Sequence, residues 1–260
     1  LGFRICWQGI GLMQVFLMRR WWLFRRRIFS TITFVVALPI LIHLALTVVI
    51  GNIIMETITK FSYQKWLYPG LILIVNTIMI IPIIYREFFD SRVNSRTLIT
   101  LSITPLSKLQ LVGFLLLTAL VEATIFSMVA MAIFVYLMDL SLGMLDLLYI
   151  LVAMNLFGLI VSNGLITLSL STDRINTFFI VTFILFLFII FSSELLFEFE
   201  FYPLKISAVL ENLPTSMVAA WCRGLMFTGY FDWTLFLTPL GIGLVWTTLN
   251  TVLLKRTLRQ

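Results

Sequence analysis

Few residues in this sequence could perform chemistry, and their number and spacing argue against a nucleotide-binding loop, a zinc site and a catalytic triad. A nucleotide-binding loop needs a glycine directly before its lysine, because the glycine backbone cradles phosphate while the lysine reaches the outer phosphates. The five lysines follow Thr59, Gln64, Ser107, Leu204 and Leu254, so none of them completes such a loop. We therefore expect this chain to bind neither ATP nor Mg²⁺, to carry no other cofactor, and to have no catalytic residues.

Histidine and cysteine are too scarce for metal or triad chemistry. The sequence contains one histidine, His43, and two cysteines, Cys6 and Cys222. These numbers exclude a zinc-protease helix and a four-ligand zinc site. A Ser-His-Asp triad would have to use His43, which lies within an apolar segment. His43 is therefore either a proton relay or substrate contact, or a neutral imidazole bonded across a helix interface.

Glu122 lies deep within an apolar segment, where a charge is costly. An acidic residue at the centre of a spanning helix costs about 2.5–3.5 kcal/mol on insertion scales, so it must face protein or water. One interpretation is a structural pairing with an interior asparagine, such as Asn76, Asn155 or Asn163. A second is a place on a substrate path or at a moving interface, and a third is that the boundary of the span is misplaced.

The composition indicates an integral membrane protein. Of 260 residues, 61% are hydrophobic and 12% are charged, whereas about 25% of the residues of a soluble domain are charged. We predict an all-α polytopic membrane protein in one permease domain, 1–260, with an N-terminal interfacial helix and a re-entrant helix pair before the last span. Six apolar runs are long enough to cross a bilayer, at residues 28–50, 67–85, 109–138, 147–170, 175–191 and 235–254.

The basic residues predict the orientation. Fourteen of the 18 lysines and arginines fall on the side that holds both termini, the loop between the second and third spans, and the turn between the fourth and fifth. Because cytoplasmic loops carry the excess of lysine and arginine, both termini are predicted to lie in the cytoplasm, with the chain in the inner membrane of the cell.

The first 27 residues mix tryptophans and phenylalanines with six arginines. This pattern is typical of a helix lying in the cytoplasmic interface beside anionic lipid, and it does not indicate a nucleic-acid partner. The arginines serve either to anchor the topology or to contact a specific lipid or partner.

A long apolar segment between the fifth and sixth spans is interrupted by proline and glycine. We interpret residues 204–229 as re-entrant, with short helices at 204–213 and 215–227, whose ends must be shielded from lipid. Four acidic residues surround this segment and form either an exit gate or a solvated surface: Glu194, Glu198, Glu200 and Glu211.

The arrangement resembles the type-2 permeases of ATP-binding-cassette (ABC) exporters over nearly the whole chain. Residues 96–109, Arg-Thr-Leu-Ile-Thr-Leu-Ser-Ile-Thr-Pro-Leu-Ser-Lys-Leu, are similar to the family's Gly-Thr-Leu-Glu-x-Leu-x-x-Thr-Pro-x-Ser-x-x stretch, with Arg96 in place of glycine and Ile99 in place of glutamate. Residues 211–225 are similar to its Asn-Pro-x-x-x-x-x-x-x-x-Arg motif, with Leu213 in place of asparagine.

The resemblance implies a role for two groups of residues. Residues 91–108 would form a cytoplasmic coupling segment that docks on an ATPase subunit, through Arg92, Arg96, Thr97, Leu98, Leu101, Thr104 and Pro105. The translocation path or gate would include Glu122, Glu194, Glu198, Pro214 and Arg223. Without the resemblance, residues 91–108 could also be a solvated loop, although their apolar side chains would then be exposed to water.

The implied assembly is two permeases, either identical copies or close paralogues, in the lipid bilayer with two separate ATPase subunits, which would carry the ATP and Mg²⁺. The expected activity is export of an amphipathic or lipid-linked substrate, such as a glycan, lipid or drug. The alternative is a secondary transporter or channel that uses Glu122 and His43; a membrane assembly factor is a third.

Overall fold

The computed structural model describes residues 18–22, 25, 28–49, 62–103, 106–140 and 142–257. Most of these residues are helical, and the described part of the chain contains no β-strand. In chain order the helices are α1 Ile28–Ile42, α2 Tyr63–Ile84, α3 Thr97–Ile103, α4 Lys108–Leu137, α5 Met144–Ser171, α6 Ile175–Ser192, α7 Leu204–Leu210, α8 Pro214–Thr228 and α9 Trp233–Thr257.

Six of these helices are long and apolar enough to cross a membrane: α1, α2, α4, α5, α6 and α9. The prediction of an all-helical, multi-span membrane fold is therefore confirmed. α1 continues as a π-helix, His43–Val48, and α2 continues through a second π-helix, Tyr85–Asp90, to Val93. The helix of the second span thus ends eight residues beyond the predicted limit at Tyr85, because ion pairs satisfy the charges of its last turns.

The helix α2 forms the centre of the bundle. Its apolar stretch is 83% buried, which fits a sequence that is hydrophobic on every face. The amide of Asn76 donates to the Met154 carbonyl of α5 at 2.9 Å and accepts from the Ser127 hydroxyl of α4 at 3.2 Å. Gly158 of α5 lets the helices approach closely, because a Cβ there would lie 2.9 Å from Leu120.

The helices α1 and α6 lie at the periphery, with 17% and 22% of their apolar stretches buried. Most of the large apolar side chains of α6 are exposed, including Phe183 at 61% and Phe188 at 57%. Such faces require lipid or another apolar partner around them.

Two short helices, α7 and α8, occupy residues 204–229, the predicted re-entrant segment. α7 is largely exposed, whereas α8 packs against α2, α5 and α9. Pro214 occupies the first turn of α8, where its missing N–H costs nothing. The helix ends at Gly229, whose φ of 68° is the left-handed conformation that favours glycine. Cys222 is buried in α8, and Cys6 lies outside the described residues.

Candidate functional site

The helix α3 lies in the connection between α2 and α4, within the predicted coupling segment. Leu98 is fully buried and Leu101 is half-buried against the core, whereas Arg96 and Thr97 are exposed. One side of this short helix is therefore anchored in the bundle and the other faces away from it. Thr104 and Pro105 lie outside the described residues.

Arg92 is engaged within the chain. Its Nη2 donates to the carbonyls of Ser169, at 2.9 Å, and Thr172, and its Nη1 lies 2.8 Å from the Asp173 carboxylate. These acceptors lie at the C-terminal end of α5, where unpaired carbonyls carry partial negative charge. Arg92 thus ties the end of the second span to the turn between α5 and α6, a link that the sequence analysis did not predict.

Arg96 has a φ of 52°, a left-handed conformation that is strained for a residue with a side chain. It lies immediately before α3 and its carbonyl accepts from the Thr100 N–H at 3.4 Å. The first turn of α3 therefore depends on a conformation that glycine adopts readily.

Arg96→Gly is expected to stabilise the protein by about 0.5–1 kcal/mol, since relief of left-handed strain outweighs the extra freedom that glycine has in the unfolded chain. Thermal unfolding in detergent measures the effect. Thr100→Gly, at an exposed position inside α3, is the matched control and is expected to lower the stability by roughly 0.5 kcal/mol. A lower melting temperature for both variants would contradict the assignment of strain to Arg96.

Three arginines and two glutamates form one cluster, here called the arginine–glutamate cluster: Arg19, Arg20, Arg86, Glu87 and Glu122. Arg20 binds Glu122 directly and lies 3.7 Å from Glu87, while Arg86 lies 3.4 Å from both carboxylates. Arg19 pairs with Glu87 at 3.3 Å. Glu87 is 2% exposed and Arg20 is 7% exposed, so each carboxylate depends on the guanidinium groups for its charge balance.

The predicted asparagine partner of Glu122 is wrong. Asn76 bonds to α4 and α5, and Asn155 accepts from Thr124 at 3.2 Å. Asn163 accepts from Asn250 of α9 at 2.9 Å. Glu122 binds arginines instead because Arg20, in the described stretch 18–22, lies against α4, and this brings together groups 102 positions apart.

His43 begins the π-helical end of the first span. Its Nδ1 is buried and has no hydrogen-bond partner among the described residues. The predicted bond across a helix interface is therefore not seen at that atom. Glu122 forms ion pairs with Arg20 and Arg86, and no hydrogen bond or ion pair joins it to His43 among the described residues.

The four acidic residues around the re-entrant segment line one cavity of about 370 Å³, here called the acidic cavity. Trp66 of α2 and Ser216 of α8 also line it. Burial raises the pKa of Glu194, and the neighbouring Arg223 opposes this rise. Within the described part of the chain, no group of His, Cys, Asp or Glu side chains is arranged to hold a metal ion.

Arg223 joins the acidic cavity to the centre of the bundle. It is 6% exposed, its Nη1 lies 3.2 Å from the Glu194 carboxylate, and its Nη2 donates to the Glu194 carbonyl. Its guanidinium also lies 3.7 Å from the centre of the Trp66 ring, in a cation–π contact. One buried cation therefore connects α8, α2 and the chain after α6.

Further hydrogen bonds anchor the beginning of α8. The Ser193 hydroxyl donates to the Thr215 hydroxyl at 2.7 Å, and the Ser216 hydroxyl donates to the Ser192 carbonyl at 2.9 Å. Pro214 lies at this anchored end, and Glu198 is 6% exposed on the cavity wall. The structure thus brings Glu194, Glu198, Pro214 and Arg223 into one region, whereas Glu122 lies in a separate cluster.

Sequence reasoning missed Arg20, Arg86, Glu87 and Trp66. Arg86 and Glu87 were interpreted as the charged end of a span, and Arg20 as part of an interfacial run. A buried ion pair has no local sequence signal, because its partners come from separate helices. The cost of an unpaired charge in an apolar segment did indicate that Glu122 needed a partner.

The fold defines this chain as a multi-span helical membrane protein. Comparison with known protein families, with curated proteins and with solved structures finds no match for it.

Proposed function

We propose that this chain is the membrane-spanning subunit of an ATP-driven ABC exporter and couples to a separate ATPase subunit. The observation that carries the proposal is the helix α3, which is anchored on one side by Leu98 and exposed on the other. A short helix of this kind between two spans provides a surface on which a cytoplasmic partner can push.

The attachment of α3 supports its role in coupling. It is joined directly to α2 and α4, and Arg92 links the same connection to the C-terminal end of α5. A movement of α3 would therefore reach three spans as a rigid-body tilt, which is a common mode of transmission between domains.

The backbone at Arg96 supports the resemblance to type-2 permeases. Its left-handed φ of 52° occurs where the family motif has glycine. An arginine held in this conformation indicates that the turn geometry before α3 matters more than the side chain that occupies it.

The proposed assembly contains two copies of this chain and two ATPase subunits that bind ATP and Mg²⁺, with both termini in the cytoplasm of the cell. The exposed apolar faces of α1 and α6 are available for a second copy or for lipid. The acidic cavity and Arg223 are proposed as the outer gate. The proposed substrate is amphipathic or lipid-linked.

Charge reversal at Arg96, the exposed residue immediately before α3, tests the coupling role. We expect Arg96→Glu to reduce recovery of the co-expressed ATPase in a pull-down by about tenfold, which corresponds to about 1.4 kcal/mol of binding. The partner to use is the ABC ATPase encoded nearest to this chain in its genome. ATP hydrolysis is expected from the complex and not from the purified chain.

Lys205→Glu, an exposed charge reversal on α7, is the matched control and is expected to leave the pull-down unchanged. The proposal is wrong if the purified chain hydrolyses ATP, or if Arg96→Glu and Lys205→Glu retain the ATPase equally.

Secondary transport or channel activity through Glu122 and His43 is the alternative. Glu122 is engaged by Arg20 and Arg86, which favours a structural role over a freely exchanging ion site. Ion-driven flux from the purified chain in liposomes without an ATPase would favour this alternative.

A further inference from the structure

A groove of about 410 Å³ runs between residues 18–21 and one face of α4. Its walls are apolar, with Met18 and Trp21 on one side and Val121, Ile125 and Phe126 on the other. Its volume lies within the range of about 300–1,000 Å³ that is typical of ligand sites. Neither the acidic cavity nor the coupling segment proposed above uses this groove.

The groove ends at the arginine–glutamate cluster, since Arg20 and Glu122 also line it. The cluster contains three guanidinium groups and two carboxylates. Arg20 Nη2 has no hydrogen-bond partner among the described residues, so the two carboxylates do not satisfy every donor. The side chains of Arg19 and Arg86 remain 38% and 34% exposed. The cluster beside the groove therefore carries a net positive charge. Arg20 Nη2 is buried, and the guanidinium groups that an anion can reach are those of Arg19 and Arg86.

The length of α2 places Arg86 and Glu87, one side of the cluster, at a membrane boundary. A hydrocarbon core of about 30 Å takes about 20 helical residues, and α2 begins at Tyr63. The core therefore ends close to Pro82, and Arg86 and Glu87 follow at the depth of the lipid headgroups. The distribution of basic residues predicts that this boundary is the cytoplasmic one.

We propose that the groove binds one anionic phospholipid of the cytoplasmic leaflet. An acyl chain lies along the apolar walls formed by Val121 and Ile125, and the phosphate lies beside Arg19 and Arg86. Arginine is well suited to bind phosphate oxygens, and anionic lipids are concentrated in the cytoplasmic leaflet. The bound lipid fastens residues 18–22 to α4. This proposal does not depend on the transport activity.

Native mass spectrometry of the full chain tests the proposal directly. The protein in mild detergent is mixed with equal amounts of phosphatidylglycerol and phosphatidylethanolamine that carry the same acyl chains. We expect the phosphatidylglycerol adduct to exceed the phosphatidylethanolamine adduct by about tenfold, and inorganic phosphate not to displace it. Equal adducts of the two lipids, or displacement by inorganic phosphate, would overturn the proposal.

Groove-filling variants locate the site. Val121→Trp and Ile125→Trp are each expected to lower the phosphatidylglycerol adduct by about tenfold. Val245→Trp, which places the same side chain at a 60% exposed position on α9, is the matched control and is expected to leave the adduct unchanged. Two groove positions are used so that one variant can report if the other fails to fold, as judged by size-exclusion profile and melting temperature.

Arg19→Gln separates the headgroup from the acyl chain. It is expected to remove the preference for phosphatidylglycerol and to leave a weaker adduct with both lipids. Retention of the full adduct by both tryptophan variants would refute the groove as the site. Co-purification of a lipid-linked glycan that the same variants exclude would refute the choice of phospholipid as occupant.

Discussion

Gly70→Ala is expected to destabilise the protein by about 3 kcal/mol or more, at the upper end of the range for overpacked cores. A Cβ at position 70 of α2 would lie 2.2 Å from the Leu195 carbonyl oxygen and 3.0 Å from its carbon. The obstacle is backbone, so it cannot rotate away as a side chain can. The Tyr63 hydroxyl, which donates to the Leu196 carbonyl at 2.8 Å, holds this backbone against α2.

The melting temperature and the yield of monodisperse protein in detergent measure this effect, and a fall of roughly 10 °C is expected. Gly113→Ala is the matched control, because Gly113 also lies inside a spanning helix but a Cβ added there would meet nothing within 4 Å. That variant is expected to gain up to about 1 kcal/mol from helix propensity. Equal stability of the two variants would contradict the close approach of Leu195 to α2.

Arg223→Met is expected to destabilise the protein by about 3 kcal/mol, at the lower end of the range for buried ion pairs, because it leaves the half-buried Glu194 carboxylate without its partner. Glu194 would lose its ion pair, and Trp66 would lose the guanidinium above its ring. Unfolding in detergent measures the loss. Unchanged stability of Arg223→Met would show that this contact does not hold α8 in place.

The double variant Arg223→Met with Glu194→Gln provides the control. It is expected to recover part of the loss, since neither charge remains buried alone. If the double variant is no more stable than Arg223→Met, the loss comes from packing around the arginine rather than from the unpaired carboxylate.

The destabilisation in Arg223→Met is also expected to shrink as the pH falls. Burial already raises the pKa of Glu194, and the arginine opposes that rise. Without Arg223 the folded-state pKa lies further above the unfolded value, so the folded state favours the protonated carboxyl. The penalty is therefore present above the folded-state pKa and is lost as the pH falls through it. A penalty independent of pH would exclude Glu194 as its source.

The sequence determined the class of this protein because hydropathy is a local property. Six apolar runs of spanning length predict six helices without any knowledge of how they pack. Proline and glycine similarly marked the two short helices before α9, since both residues act on the backbone at their own positions. The four acidic residues that line the cavity also lie close together in the chain, so their proximity follows without knowledge of the packing.

The partners of the charged residues follow from how the helices pack and not from the local sequence. Glu122 and Arg20 are 102 positions apart, and Arg223 lies 157 positions from the Trp66 carbonyl to which it donates at 3.4 Å. Nothing in either local sequence distinguishes these partners from other arginines or tryptophans. The pairing depends on which helices pack together, and this is a property of the whole bundle.

Packing also gives different environments to residues that look alike in the sequence, both on α3 and among the glycines of the spanning helices. Leu98 and Thr97 are neighbours in the motif, but the packing of α3 buries one and exposes the other. Gly70 and Gly113 are both glycines within apolar helices, and the sequence treats them alike. The fold brings the Leu195 backbone against α2, so Gly70 cannot be replaced without a clash, whereas no atom lies close enough to Gly113 to require glycine there. The difference arises because steric exclusion depends on neighbours in space rather than along the chain.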